Sequence, residues 1–231
     1  MEIHGLNKTT LLDYPGHVAA TLFTGGCNFR CPFCHNKDLV LSPSSQPIIS
    51  LDEVFSFLEK RKNILTGVCI TGGEPTLQKD LPEFIRDIKA LGYLVKLDTN
   101  GYRPDILKSL VSDHLLDYVA MDIKTSPANY SIVTGLSSMD VSKIMESVSF
   151  LMSGSVTYEF RTTVVKELHK SSDFEEISTW LTGCRSYYLQ SFKDSENVIS
   201  PGFTCYDKED LLGFIKMISN KIPHVFLRGV D

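Results

Sequence analysis

Residues 68–101 read VCITGGEPTLQKDLPEFIRDIKALGYLVKLDTNG. Val68 to Thr71 is a short apolar run that ends at Gly72-Gly73. Leu81, Phe84, Ile85, Ile88 and Leu91 then recur at helical spacing. Tyr93 to Leu97 is a second apolar run, closed by Asp98-Thr99-Asn100-Gly101. An extended run, a helical stripe and another extended run make one βαβ unit. Repeated units of this kind predict a parallel sheet with its helices packed outside.

The alternation continues in both directions. Upstream, Val18 to Phe23 is an expected strand, and Ser50 with Glu53 three residues on forms a capping-box pattern. Behind that cap, Leu51, Val54, Phe55 and Leu58 stripe a helix. Downstream, Pro104 is expected at the start of a short helix and Leu116 to Ile123 in a strand. Val141, Ile144, Met145 and Val148 mark the next helix, and Thr157 to Val165 is a strand with a β-branched bias. Phe174, Ile177 and Leu181 precede a strand at Tyr187 to Leu189. Leu211, Leu212, Ile215 and Ile218 stripe the last long helix, before a short strand at Val225 to Leu227. About six units are too few for a closed eight-stranded barrel, which takes around 250 residues. The expected fold is therefore α/β, an open partial (β/α)6 barrel, with a doubly wound sheet as the competing arrangement. With 231 residues, 42% of them hydrophobic, the chain is expected to form a single domain over 1–231, its last helix and strand lying in 207–231. Ser42 to Pro47 is expected to be an exposed connecting loop.

A net charge of −5 without a basic stripe argues against nucleic acid as a partner. No stretch approaches the roughly 20 apolar residues of a membrane helix, and Met1 to Tyr14 carries no secretory pattern. A soluble, cytoplasmic protein is expected. Of the six cysteines, Cys27, Cys31 and Cys34 crowd together, a pattern of metal or redox use more than of disulfides. Cys69, Cys184 and Cys205 are scattered and read as small buried apolar groups.

In either architecture ligands bind where strands end and βα loops begin. Gly25-Gly26-Cys27 follows the first of these strands, Gly72-Gly73-Glu74-Pro75 the second and Asp98-Thr99-Asn100-Gly101 the third. Asp122-Ile123-Lys124 closes the fourth, Arg161 lies in the fifth and Gln190 follows the sixth. Any one of these has a bland reading as a turn, a cap or a surface charge. Their recurrence at successive strand ends is what points to a site.

Cys27, Cys31 and Cys34 lie in one loop, 24–36, spaced CxxxCxxC. Soft thiolates suit iron–sulfur clusters, zinc or copper(I). A structural zinc or an electron-transfer cluster normally takes a fourth ligand, and three thiols leave one position open.

The stretch Cys27-Asn28-Phe29-Arg30-Cys31-Pro32-Phe33-Cys34-His35-Asn36 resembles the signature of the radical S-adenosylmethionine (SAM) superfamily. The final His-Asn, with Leu12-Asp13-Tyr14-Pro15-Gly16 and Phe23-Thr24-Gly25-Gly26 upstream, is similar to activating enzymes of glycyl radical enzymes. The likeness is greatest to those of the anaerobic ribonucleoside-triphosphate reductase. Tyr14 departs from the Gly that many activating enzymes carry there. The resemblance implies that Cys27, Cys31 and Cys34 ligate three irons of a [4Fe–4S] cluster whose fourth iron is chelated by SAM. Phe33 would pack near the adenine, with His35 in the same cofactor-binding set. Gly72, Gly73 and Glu74 would bind the methionine ammonium. Asp98, Asn100, Asp122 and Lys124 would surround the ribose and carboxylate, together with a monovalent cation, and Arg161 and Gln190 are carried over by position.

The implied reaction is reductive cleavage of SAM to a 5′-deoxyadenosyl radical, which takes a hydrogen atom from a glycine of a partner glycyl radical enzyme. An electron donor such as a flavodoxin or ferredoxin would supply the electron, and Asp13 would contact the partner's glycine loop. The competing readings are a radical SAM enzyme acting on a small molecule, such as a nucleotide or pterin-like compound, and a non-catalytic iron–sulfur electron carrier.

Overall fold

The computed structural model describes residues 1–230. Eight strands form one sheet in the order of the chain: β1 (Ile3–Thr10), β2 (Ala19–Thr24), β3 (Gly67–Gly72), β4 (Leu94–Thr99), β5 (Tyr118–Asp122), β6 (Thr157–Val164), β7 (Tyr187–Ser191) and β8 (Val225–Arg228). β1 runs antiparallel to β2, and every later neighbour is parallel. Between them lie α1 (Lys37–Leu41), α2 (Leu51–Arg61), α3 (Leu81–Ala90), α4 (Pro104–Ser112), α5 (Tyr130–Thr134), α6 (Val141–Met152), α7 (Ser171–Trp180) and α8 (Lys208–Ile218). Each parallel strand lies beside its predecessor, so the winding never reverses and the doubly wound arrangement is excluded. Crossovers between parallel strands are right-handed, and successive ones in the same direction place their helices on one face. β1 and β8 are not paired, so the sheet is open, as the partial barrel requires.

The expected strands are all present. β1 is the addition, an edge strand whose residues 4–6 are half-buried and 7–9 exposed. The helical stripes form helices where read, but Met145 and Leu212 are exposed instead of packing inward, because they turn off the buried faces of α6 and α8. Ser50 Oγ accepts the Glu53 N–H at 3.2 Å, and Pro104 opens α4, where its missing N–H costs no intrahelical bond. The 42–47 segment contains a short 3-10 turn at Pro43–Ser45. Cys69 and Cys184 are buried as expected, whereas Cys205 is exposed, because it lies in the irregular segment before α8.

The strands alternate between two kinds of surface. Val68, Ile70, Val95, Leu97, Val119, Met121, Phe160 and Leu189 belong to the hydrophobic core. The intervening positions carry Thr21, Cys69, Lys96, Asp98, Asp122, Glu159 and Arg161, so the opposite face of the sheet is lined with polar groups that pair with one another. Tyr14, in the β1–β2 connection, lies 5.8 Å from the ring of Tyr118 on β5, three strands along. Strands about 4.8 Å apart in a flat sheet would separate them much further. The sheet curls around its polar face.

Candidate active site

The polar face opens at the C-terminal ends of the strands into a pocket lined by Cys27, Cys31, Cys34, Gly72, Gly73 and Glu74 on one side. Asp98, Asn100, Asp122, Lys124 and Arg161 line the other, and Phe33 and His35 complete the wall. Every site residue expected from the sequence is therefore gathered here except two. Asp13 lies at the opposite end of β2, where its carboxylate accepts the Thr21 hydroxyl at 2.5 Å. Gln190 sits on β7 opposite Thr163 and Arg228, outside the pocket.

Backbone bonds on several sides hold the cysteine loop. Gly26 donates to the Leu39 carbonyl at 2.8 Å and Arg30 to the Thr134 carbonyl at 2.8 Å. The segment after β7 crosses it: Ile199 N–H donates to Cys34 O at 3.1 Å and Ser200 N–H to Pro32 O at 2.8 Å. Phe192 and Val198 bury themselves beneath that crossing. His35 Nε2 lies 2.6 Å from the Lys193 carbonyl, and its ring lies beside Phe192. Phe33 is buried edge-on to His169.

The Gly-Gly turn fits against this loop with no room to spare. Gly73 N–H donates to Thr24 O at 2.9 Å and Glu74 N–H to Gly26 O at 2.8 Å. Gly72 has φ +121°, a conformation that side chains rarely adopt, and a Cβ on Gly73 would lie 1.9 Å from Gly26 O. Glu74 is buried, and its carboxylate is consumed locally. Oε1 accepts from Thr76 N, Thr76 Oγ1 and Thr99 Oγ1, and Oε2 from Asn100 N at 2.7 Å. Burial pushes its carboxyl up, while the bonds from Thr76, Asn100 and Thr99 oppose that shift.

The opposite wall is an ion-pair chain. Arg161 bridges two strands, with Nη1 3.1 Å from Asp98 Oδ2 and Nη2 2.9 Å from Asp122 Oδ1. Lys124 Nζ reaches Asp122 Oδ2 at 2.9 Å. Lys96 pairs with Asp98 from below. Burial alone would raise Asp122, but Arg161 and Lys124 hold its carboxyl down at about 2. Lys124 and Arg161 are held above their ordinary values by the same carboxylates, against the opposing effect of burial. Sequence reasoning missed Lys96, Thr71 and Thr99. Lys96 had a legible signal, because Lys96 and Asp98 stand two apart in an otherwise apolar run and so share a face.

Burial, and then the Glu74 carboxylate, push Cys27 up to about 12, and burial pushes Cys31 up to about 11. Among the described residues no three His, Cys, Asp or Glu side chains converge on a single ion. Asn28 Nδ2, in the middle of the loop, is buried without a hydrogen-bond partner, as a donor aimed at a missing sulfur or thiolate would be.

The radical SAM superfamily model matches residues 21–177. A protein of Methanocaldococcus jannaschii, provisionally named a glycyl-radical enzyme activating enzyme, is 31% identical over 99% of this chain and 96% of its own length. Among solved structures, Streptococcus suis SuiB superposes with a TM-score of 0.70 at 13% identity, covering 91% of this chain and 49% of SuiB. A domain of the pyruvate-formate lyase-activating enzyme from Bacteroides vulgatus superposes with a TM-score of 0.59 at 13% identity, over 71% of this chain and 99% of that domain. The chain belongs to the radical SAM superfamily. Membership implies a [4Fe–4S] cluster and SAM, and the donor set of this pocket fits both. Three soft thiols are available for irons, and the charged wall opposite them suits a ligand bearing an ammonium, a carboxylate and a sulfonium.

Proposed function

We propose that this chain activates a glycyl radical enzyme, and that its partner is an anaerobic ribonucleoside-triphosphate reductase. The observation that carries the reading is the convergence of Cys27, Cys31 and Cys34 with the Gly72-Gly73-Glu74 turn and the Asp98–Arg161–Asp122–Lys124 chain in one pocket of an open sheet. An open sheet leaves a lateral approach for a segment of another protein. The near full-length match to the M. jannaschii protein supports the activating role. The Asp13-to-Asn36 signature supports the choice of partner.

When bound, the cluster and SAM supply a one-electron reductive cleavage that ends in hydrogen abstraction from a glycine Cα. The residues of this chain orient and enclose. Cys27, Cys31 and Cys34 would hold the cluster, and the turn at Gly72 and Gly73 would receive the methionine end of SAM. Asp98, Asn100, Asp122, Lys124 and Arg161 present fixed charges and hydrogen bonds to its ribose and carboxylate. Phe33 offers its ring to the adenine. His35 fixes the loop through Lys193, and Gln190 on β7 is assigned to the cofactor site from its strand-end position. Asp13, outside the pocket, is assigned to the partner's glycine loop. Asp13→Ala should therefore impair partner activation and leave SAM cleavage intact. A flavodoxin or ferredoxin is the fitting electron donor, and the oxygen-labile cluster suits an anaerobic cytoplasm. No helix among the described residues is long and apolar enough to cross a membrane.

The test is anaerobic reconstitution with iron and sulfide, reduction, and addition of SAM. Wild type should form 5′-deoxyadenosine, and a Cys27/Cys31/Cys34→Ala variant should not. With the reductase added, a glycyl radical should appear by electron paramagnetic resonance. 5′-Deoxyadenosine without any glycyl radical, but coupled to conversion of a nucleotide, would transfer the assignment to small-molecule chemistry. An intact cluster that binds no SAM would leave an electron carrier.

A further inference from the structure

Two half-buried carboxylates on adjacent strands, Asp98 on β4 and Asp122 on β5, form the oxygen-rich corner of the pocket. Hard oxygen donors arranged in this way hold metal cations, and a monovalent ion is expected there from the sequence. In this chain all four oxygens are already bonded to side-chain cations. Asp122 Oδ2 takes Lys124 Nζ at 2.9 Å and Asp122 Oδ1 takes Arg161 Nη2 at 2.9 Å. Asp98 Oδ2 takes Arg161 Nη1 at 3.1 Å, and Asp98 Oδ1 takes Lys96 Nζ.

Lys96 is the unusual member. Lys124 and Arg161 line the pocket, whereas Lys96 lies beneath it, its side chain 1% exposed, flanked in the sheet by Cys69 and Tyr118. Its Nζ is 3.7 Å from Cys69 Sγ, and the Cys69 thiol is itself 3.6 Å from Asp98 Oδ1. Lysine is almost never fully buried unless its charge is matched, and the match here is the Asp98 oxygen that faces away from Arg161. Lys96, Arg161 and Lys124 together already more than match the charges of Asp98 and Asp122. A further cation would have to displace an ammonium from an oxygen and would leave the wall with excess positive charge beside the sulfonium of SAM.

We propose that Lys96 is a built-in counter-cation: its ammonium holds Asp98 where an exchangeable monovalent ion would otherwise do so, and the chain therefore binds SAM without potassium or sodium. The proposal rests on the reading of the pocket as a SAM site. Lys96 is a positioning residue, because it touches Asp98 and Cys69 rather than the ligand.

The experiment compares the reconstituted protein in tetramethylammonium chloride and in potassium chloride at equal ionic strength. SAM affinity is read by equilibrium dialysis, and thermal unfolding is read without SAM. Wild type should show the same Tm in both salts and SAM dissociation constants within about twofold of each other, a change of less than roughly 0.5 kcal/mol. Lys96→Met should bind SAM about tenfold more weakly in tetramethylammonium, because a buried carboxylate oxygen has lost its cation. Potassium should restore the affinity of Lys96→Met and raise its Tm. A merely structural lysine would give no rescue by potassium. A saturable rise of wild-type Tm or SAM affinity with potassium would overturn the proposal, as would a Lys96→Met variant indifferent to both salts. If Lys96→Met does not fold, the wild-type salt comparison decides alone. If wild type binds no SAM in either salt, the SAM reading fails, and the Tm comparison still judges the ion.

Discussion

The side-chain amide of Asn36 donates to the Gly72 carbonyl at 2.7 Å, joining the end of the cysteine loop to the first glycine of the turn after β3. One amide thus sets the distance between the thiols and the turn that receives the other half of the ligand. Asn36→Leu removes the donor and strands a half-buried carbonyl, a cost of about 1 kcal/mol. For a chain of this size that is a Tm decrease of roughly 2–4 °C. SAM affinity should fall by more than this stability loss would suggest, because the two halves of the site are no longer held in register. A variant that loses Tm but binds SAM as wild type does would show the bond to be structural only.

Two glycines should respond with opposite sign to the same methyl group. A Cβ on Gly73 would meet the Gly26 carbonyl oxygen at 1.9 Å, and backbone cannot yield there without breaking the bonds of Gly73 to Thr24 and of Glu74 to Gly26. Gly73→Ala should cost roughly 3 kcal/mol or more and abolish cluster incorporation, read as iron and sulfide content. Gly213, in the exposed middle of α8, would meet nothing within 4 Å. Gly213→Ala should add about 0.5–1 kcal/mol by restricting the unfolded chain and favouring the helix, and should raise Tm. Matched Tm values for the two variants would contradict the close approach of the two loops.

The parts of this molecule that were legible in the sequence are those where period and chemistry agree. The α3 stripe from Leu81 to Ile88, the Ser50 cap, Pro104 at the start of α4 and the strand-end motifs each carry a local signal. β1 carried none, since Asn7, Lys8 and Thr9 are exposed, His4 to Leu6 only half-buried, and the run shows no apolar alternation. α5 is five residues long, too short to show a period. Glu159 carries no local signal, because burial of a charge depends on its partner, and Arg228 lies far along the chain from it. The Glu74 carboxylate, given the methionine ammonium from the motif, also accepts from Thr76, Thr99 and Asn100, hydroxyls and backbone amides that only the fold brings to it.

His169 makes stability depend on mild acid. The ring is buried behind the site, with Nε2 2.7 Å from the Lys124 carbonyl and Nδ1 accepting the Val165 N–H at 3.0 Å. Burial holds its pKa below the ordinary 6.5, although the carbonyls of Lys124 and Val165 favour the charged form. The unfolded chain therefore takes up this proton at a higher pH than the folded one does. The contribution is complete above about 6.5 and is lost as pH falls from there toward the lower folded value. Urea midpoints should decline over that window in wild type and decline less in His169→Gln. Equal slopes for the two proteins would mean that His169 does not contribute.

The last strand is fastened by one buried carboxylate. Glu159 on β6 is fully buried, and Arg228 on β8 crosses β7 to reach both of its oxygens, Nη1 to Oε1 at 2.8 Å and Nη2 to Oε2 at 2.9 Å. Tyr118 adds a hydroxyl to Oε2 at 2.9 Å, and the guanidinium lies 3.4 Å over the Tyr188 ring. Removing Arg228 leaves the carboxylate in place with one donor, whereas removing the charge of Glu159 leaves an arginine that is 30% exposed and can turn to water. Arg228→Met should therefore cost about 2–3 kcal/mol, below the full range for a buried pair because the arginine is partly solvated. Glu159→Gln should cost about 1 kcal/mol. The double variant Glu159→Gln/Arg228→Met should be more stable than Arg228→Met alone, because the glutamine carries no charge and still accepts from Tyr118. A double-mutant cycle by urea denaturation should give a coupling above roughly 1 kcal/mol. Additivity within about 0.5 kcal/mol would show that β8 is held by its backbone ladder with β7 and not by this ion pair.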